Sequence, residues 1–391
     1  MSVRRRVILL VLPSLLLGLI GFAAGYRVRA EADAGNPGFP LVSEAYRLLS
    51  AHFLGELPPR LDLERGMVRG LLEADGDPYT IYVAPAAHEL ETDLLSGEYG
   101  GIGATLSRDE AGRVRLIPFV GGPAALAGVR EGDILLAVDG HEILPQDSLD
   151  TALAELRGPA GTQVTLRLAA RGAGGEAIEV TITRQVTPLP SVNVYLLPDE
   201  PRLGVIAVTV FSERTLDELH QGLEDLAARG ALAFVLDLRA NPGGLFDAAV
   251  EGARLFLSEG VVASERRAGG AMQVHRVDGP GDAADVPLAV LVDAGTASAA
   301  EVAAAALQEN GRAPLIGQQT LGKGSVQLIF ELSDGSSLHI TTSRWLTPNG
   351  SSLDGRGLEP DVAVEATSLQ AGDPYLAAAR SWFASQGVLT R

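Results

Sequence analysis

The spacing of apolar residues changes along this chain, and each change marks a different kind of element. Near the start, Val7 to Tyr26 is an uncharged, almost wholly apolar run with no polar face. A helix of that length rises about 30 Å, the thickness of a bilayer's hydrocarbon core. Residues 33–42 are rich in Pro and Gly and read as a linker. From Ser43 to about Ser96 the pattern is mostly helical, with a break at Asp77-Pro78. Gly97 to about Gln185 has a different texture: short runs separated by tight turns predict strands opening at Gly101, Arg113, Asp133, Gln163 and Ala177. Two helices are expected among them, Pro123–Gly128 and Ser148–Leu156, the second with Leu149, Ala152, Leu153 and Leu156 on one face. Past Thr187-Pro188-Leu189-Pro190 short apolar strands (Ala231–Leu238, Val286–Val292, Pro314–Ile316) alternate with helices (Leu245–Leu257, Ser298–Gln308). Helices between such strands imply parallel pairing and a mixed α/β core.

Composition narrows the function classes. A length of 391 residues suggests two or three domains. The net charge of −18 and the dispersal of the arginines argue against nucleic-acid binding. The absence of cysteine excludes disulfides, thiolate metal sites and a cysteine nucleophile. The six histidines are scattered with no HExxH pairing, so neither a metal nor another cofactor is expected. Arg4-Arg5-Arg6 directly before the apolar run favours a cytoplasmic N-terminus and an exported body. The run reads as a membrane anchor, with a cleaved signal peptide ending near Ala30-Glu31-Ala32 as the rival; both place the body outside the cytoplasm.

Lys323 is the single lysine among 31 basic residues, and it sits between Gly322 and Gly324. Arginine stays protonated at any ordinary pH, whereas a desolvated lysine can release its proton and act as a base. A codon preference for arginine with one lysine left over explains the same count. Ser298 follows a strand and begins a helix, a corner that exposes a hydroxyl and aims helix N-terminal amides at a developing oxyanion. Ser298-Ala299-Ala300-Glu301 reads equally as a capping box. The intervening helix, strand and turn are long enough to bring Lys323 back near Ser298, and Ser–Lys dyads are a known alternative to Ser–His–Asp. Gln327 lies on an alternating run in which 323, 325 and 327 share a face, so its neutral amide could orient the amine, or simply meet solvent. Asn241-Pro242-Gly243-Gly244 ends another strand, where the amide of Gly243 or Gly244 could join that of Ala299 in an oxyanion hole; a plain helix-entry turn is the alternative. Gly317-x-x-x-x-Gly322-Lys323 matches part of a P-loop, but Gly324 stands where the Ser/Thr should be and a strand-like segment follows, which argues against nucleotide binding.

Together these residues resemble the carboxyl-terminal processing (tail-specific) proteases of peptidase family S41, over about residues 40–365. The nucleophile segment Gly-Ser-Ala-Ser-Ala-Ser-Glu of that family stands here as Gly295-Thr296-Ala297-Ser298-Ala299-Ala300-Glu301, with Thr296 and Ala300 replacing serines. The lysine segment runs Thr320 to Gln327, the Asn-Pro-Gly-Gly corner is 241–244, and the late Gly-x-Gly-Ile-x-Pro-Asp signature spans Gly355–Asp361 with Leu358 for Ile. The resemblance implies a crotonase-like mixed α/β protease core with an inserted PDZ domain and an N-terminal helical segment. It makes Ser298 the nucleophile, Lys323 the general base, Gln327 its orienter, and Gly243 or Gly244 with Ala299 the oxyanion hole. Gly101, Ile102, Gly103 and Ala104 would form the carboxylate loop of the PDZ domain, taking a C-terminal carboxylate on successive amides. The expected division is a membrane anchor or signal segment (1–32), a linker and helical region (33–96), the PDZ domain (97–188), the protease core (189–370) and a C-terminal helix (371–391). The expected activity is that of an exported serine endopeptidase that cuts near free protein C-termini through an acyl-enzyme. The expected partners are protein or peptide substrates and, through the N-terminal segment, the bacterial cytoplasmic membrane; homo-oligomerisation and an activating partner stay open. The alternatives are a non-catalytic PDZ scaffold or pseudoprotease and, given the crotonase likeness, acyl-CoA chemistry, which export argues against.

Overall fold

A computed structural model describes residues 38–109, 111–169, 177–365 and 372–389. The run Val7–Tyr26 therefore lies outside the described residues, among which no helix is long and apolar enough to cross a membrane. The described residues divide between two compact units, the first ending at Val68 and the second beginning at Arg69. In the first, helix α1 (Pro40–His52) starts inside the expected linker, because a proline in the first helical turn loses no hydrogen bond. Helix α2 (Arg60–Asp75) begins in the first unit and ends in the second.

The second unit opens with β1 (Ile81–Val83), α3 (Pro85–Ser96) and β2 (Glu98–Gly101). Strand β1 interrupts a region expected to be helical; three residues are too few to show a period. An antiparallel sheet follows: β3 (Ala104–Arg108), β4 (Val114–Pro118), helix α4 (Pro123–Leu126), β5 (Ile134–Val138), β6 (His141–Glu142), helix α5 (Leu149–Leu156), β7 (Gln163–Ala169) and β8 (Ile178–Thr183). Its order is β3-β4-β5-β7-β8 with β6 on β5, which leaves β3 at the edge. Alternation does the work in β7, where Val164, Leu166 and Leu168 are buried with Leu116, Val138, Ala152 and Leu156 in one core. The Ser148 hydroxyl caps α5 by accepting the Thr151 amide (3.0 Å).

The strand expected to run from Gly101 to Leu106 is broken. Gly103 has φ 67°, where a β-carbon would meet Pro123 Cδ at 2.7 Å, and the turn separates β2 from β3. Strand β2 pairs instead with β9 (Gln185–Pro188), so the chain enters and leaves the antiparallel sheet through one two-stranded ribbon.

The remaining elements are β10 (Val192–Leu197), β11 (Glu200–Val208), α6 (Thr215–Ala228), β12 (Ala233–Asp237), α7 (Phe246–Arg254), β13 (Val261–Arg267), β14 (Met272–Arg276), β15 (Leu288–Val292), α8 (Ala299–Glu309), β16 (Leu315–Gly317), β17 (Ser325–Glu331), β18 (Ser337–Leu346), β19 (Val362–Ala363) and α9 (Pro374–Ser385). One sheet has the order β10-β11-β12-β15-β16-β19, parallel from β11 onward, as the strand–helix alternation predicts. Its period of two divides the side chains: Phe234, Leu236, Leu288 and Val290 pack with α6, α7 and α8, and Ala233, Val235, Ala289 and Leu291 face α9. The C-terminal helix, expected as a separate segment, is thus one layer of the core through Tyr375, Leu376, Ala379 and Phe383. Alanines fill α8, which is buried from Ala299 to Leu307. A second sheet joins β1, β13 and β17 to β18, with β14 on β13.

Candidate active site

Strands β12 and β15 are parallel neighbours, so the corners that follow them lie side by side. At the first, Asn241 is fully buried; its Nδ2 donates to Val208 O (2.8 Å) and its Oδ1 accepts the Gly243 amide (2.8 Å). Gly243 and Gly244 have φ of 113° and 123°, and a β-carbon on Gly244 would stand 2.2 Å from Phe211 O. Only glycine fits there. The Gly243 amide is committed to Asn241, whereas the Gly244 amide has no acceptor among the described residues and Gly244 lines a cavity.

At the second corner Asp293 Oδ1 accepts the amides of Gly295 and of Ala240 from the first corner (both 2.9 Å), and Thr296 Oγ1 donates to Leu238 O (2.8 Å). Thr296, one of the two departures from the family segment, therefore ties the corners together through its hydroxyl. Ser298 follows with φ 53° and ψ −121°, a conformation that residues bearing a side chain rarely adopt. Its amide donates to Glu301 Oε2 (2.9 Å), the carboxylate side of the capping box. The amide of Ala299, the first residue of α8, also has no acceptor among the described residues.

Glu301 does far more than cap. It is fully buried, and Oε1 accepts the Thr320 hydroxyl (2.5 Å) and the Gly322 amide (2.8 Å), while Oε2 accepts the Lys323 amide (2.9 Å) besides that of Ser298. One carboxylate thus fixes the start of α8 to the lysine loop, with each oxygen taking two donors. Gly322 and Gly324 allow the approach: a β-carbon on Gly322 would meet Gly357 N at 2.6 Å, and one on Gly324 would meet Asp354 at 2.8 Å. The late signature packs on the same loop, since Leu358 N donates to Thr320 Oγ1 (2.7 Å) and Gly355 N to Gly322 O (2.9 Å).

Lys323 Nζ donates to Gln327 Oε1 (2.9 Å) and lies 5.2 Å from the centre of the Tyr79 ring; Gln327 Nε2 in turn donates to Tyr79 O. The expected pairing is present, but not by simple alternation. Lys323 precedes β17, and a register shift against β18 falls between Val326 and Gln327. Burial pushes the Lys323 amine below the usual lysine range, against the opposing charges of Glu91 and Asp77. Ser298, Ala299, Gly244, Lys323 and Gln327 line one cavity of about 640 Å³. Much of its remaining wall is apolar, including Leu90, Leu94, Leu245, Phe246, Ile329 and Trp345. Trp345 Nε1 donates to Lys323 O (3.1 Å).

Sequence reasoning missed Tyr79, Glu91 and His339, which line this cavity from β1's approach, α3 and β18. No local motif announces them, because each comes from an element chosen by tertiary packing. Glu301 was visible only as the fourth residue of a capping box. The four residues Gly101, Ile102, Gly103 and Ala104 lie away from this cavity, running from the end of β2 to the start of edge strand β3. Ile102 O accepts the Ala124 amide (2.7 Å) of α4, and Gly103 O accepts the amide of Phe119 (2.8 Å), the residue after β4. Among the described residues no cluster of three or more His, Asp or Glu side chains is placed to hold a metal ion.

The chain is similar to known proteins along most of its length. Residues 202–364 match the family described as "Peptidase family S41", and residues 120–169 match "PDZ domain". The carboxy-terminal processing protease CtpA of Bacillus subtilis is 32% identical over 90% of this chain and 74% of its own length. The carboxyl-terminal-processing protease of Synechocystis is 36% identical over 76% of this chain and 70% of its own. A solved structure of a photosystem II D1 C-terminal processing protease is 31% identical, with coverage of 82% of this chain and 86% of its own and a TM-score of 0.46.

Proposed function

Because the chain belongs to the carboxy-terminal processing proteases of peptidase family S41, we propose that the cavity holding Ser298 and Lys323 is its catalytic centre. The protein is a serine endopeptidase that acts near protein C-termini. Ser298 is the nucleophile, Lys323 the general base and Gln327 the residue that orients it. The observation that carries this reading is the half-buried Lys323 amine, hydrogen-bonded to a neutral amide in the same cavity as the corner serine. A carboxylate in place of Gln327 would hold the proton on the amine; an amide oxygen positions the amine without that charge.

In the reaction Ser298 Oγ attacks the scissile carbonyl as its proton passes to neutral Lys323 Nζ. The amides of Gly244 and Ala299 take the oxyanion. The choice of Gly244 over Gly243 rests on the bond that commits the Gly243 amide to Asn241. The protonated lysine then gives its proton to the leaving amine, and the acyl-enzyme is hydrolysed by a water that Lys323 deprotonates in turn.

Residues 97–188 serve as the substrate-tail module, with β2 and β9 as its neck, residues 189–389 as the protease core, and edge strand β3 as the strand to which a peptide adds. The Gly101–Ala104 loop at its start would receive the terminal carboxylate. Arg4–Arg6 and the apolar run after them support export and attachment to the membrane. The test is cleavage of an unfolded protein with a free or an amidated C-terminus, by the native chain and by Lys323→Arg. Arginine keeps the charge but cannot act as a base. Loss of about three orders of magnitude in kcat is expected for Lys323→Arg, and loss of cleavage on amidation supports tail recognition. Equal cleavage by both chains overturns the base.

A further inference from the structure

One wall of the catalytic cavity carries charge that the reaction scheme does not use. Glu91 enters from α3 and His339 from β18, with Glu91 Oε2 2.9 Å from His339 Nε2. Neither of these two buried atoms has a hydrogen-bond partner of good geometry among the described residues. Glu91 is the sole carboxylate among the described residues that line the cavity, and Lys323 the sole lysine in the chain. We propose that Glu91 is a positioning residue that acts on the reaction through Lys323: its negative charge holds the proton on the amine and thereby sets the pH at which the protease turns on. This proposal rests on the reading of Lys323 as the general base.

Charges that face Lys323 come from two places, Glu91 on α3 and Asp77 in the turn before β1. Asp77 is engaged by its own turn, accepting the Tyr79 amide (3.1 Å) and the Thr80 hydroxyl (2.8 Å). Among the described residues Glu91 is paired only with His339. The Glu301 carboxylate takes the Lys323 backbone amide and is occupied by four donors. Tyr79 presents a ring face, and Ser325 and Gln327 are neutral. Burial favours the neutral amine and Glu91 opposes it, so the two effects meet at the one group whose deprotonation the reaction needs.

The single lysine makes a direct test practicable. Incorporation of ¹³Cε-labelled lysine into the full chain gives one resonance, whose shift against pH follows Lys323 without reference to activity. In Glu91→Gln, nearly isosteric and uncharged, the titration midpoint should fall by at least about 0.5 pH unit. The acidic limb of kcat/KM should fall with it, so that cleavage at a pH below the native limb rises about threefold or more. A midpoint that stays in place or rises overturns the proposal and leaves the base assignment standing. A midpoint that falls while the limb stays fixed overturns Lys323 as the base, and the proposal with it. A control, Glu142→Gln on the antiparallel sheet, should move neither quantity; a shift there of the same size would also overturn a specific role for Glu91.

Discussion

At the end of β12 the chain turns toward α7 through Gly243 and Gly244, with φ of 113° and 123°; at the end of neighbouring β15 it turns into α8 through Ser298, with φ of 53°. The two corners are tied to each other by Asp293 and Thr296, yet they resolve the same steric problem differently. At Gly243 and Gly244 the first gives up side chains, so that backbone can pass within reach of Phe211 beside the cavity, where the Gly244 amide has no acceptor among the described residues. The second cannot use glycine if the proposed reaction is to have its hydroxyl, and it holds a serine in a conformation that glycine would occupy at little cost. What supports that serine is Glu301, which joins its amide to the lysine loop. The glycine pair supplies only backbone, and Ser298 supplies a side chain at the expense of a buried support.

The largest expected effect of breaking this arrangement is at the first corner. In Gly244→Ala the new β-carbon would stand 2.2 Å from Phe211 O, a backbone atom that cannot swing aside. The corner must shift and carry its amide away from the oxyanion, so kcat should fall about 10²–10³-fold with a smaller change in KM, measured by peptide cleavage. Unchanged kcat would remove Gly244 from the oxyanion hole. Next comes the support of the second corner. Glu301→Gln keeps the shape, but presents an NH₂ group to donors now satisfied by a carboxylate oxygen. At least one buried donor loses its acceptor, and about 2–4 kcal/mol of stability should be lost. Denaturant unfolding measures this; a loss below about 1 kcal/mol would mean that the carboxylate does not join the two segments.

How much of this was legible in the sequence depended on how local the signal was. Ser298, Lys323 and the Asn-Pro-Gly-Gly corner sit in short stretches whose residue types state their geometry, and the strand–helix alternation around them foretold the parallel sheet. The pairing of Lys323 with Gln327 was foreseen for an incomplete reason, because a register shift replaces the expected alternation. Strand β1 escaped notice because three residues carry no period, and with it went Tyr79, whose carbonyl and ring hold Gln327 and Lys323. Glu91 and His339 face the cavity only because α3 and β18 pack there, a long-range fact that no spacing encodes. The break at Gly103 was missed because a glycine between apolar residues reads as part of a strand until its φ is known.

The smallest effect asks whether the second corner is strained at all. Ser298→Ala and Ser298→Gly both remove the nucleophile, so both should be inactive, and neither comparison is clouded by activity. Alanine keeps a β-carbon at φ 53°, whereas glycine makes this corner resemble the first. Relief of the strained backbone should stabilise the glycine variant by about 1–2 kcal/mol over alanine, partly offset by about 0.5–1 kcal/mol from the greater freedom of glycine in the unfolded chain. The glycine variant should therefore unfold at the slightly higher denaturant concentration, a gap that the preference of a helix N-cap for glycine over alanine widens. If alanine is instead the more stable, the backbone at Ser298 is not under strain, and the two corners differ only in whether they carry a side chain.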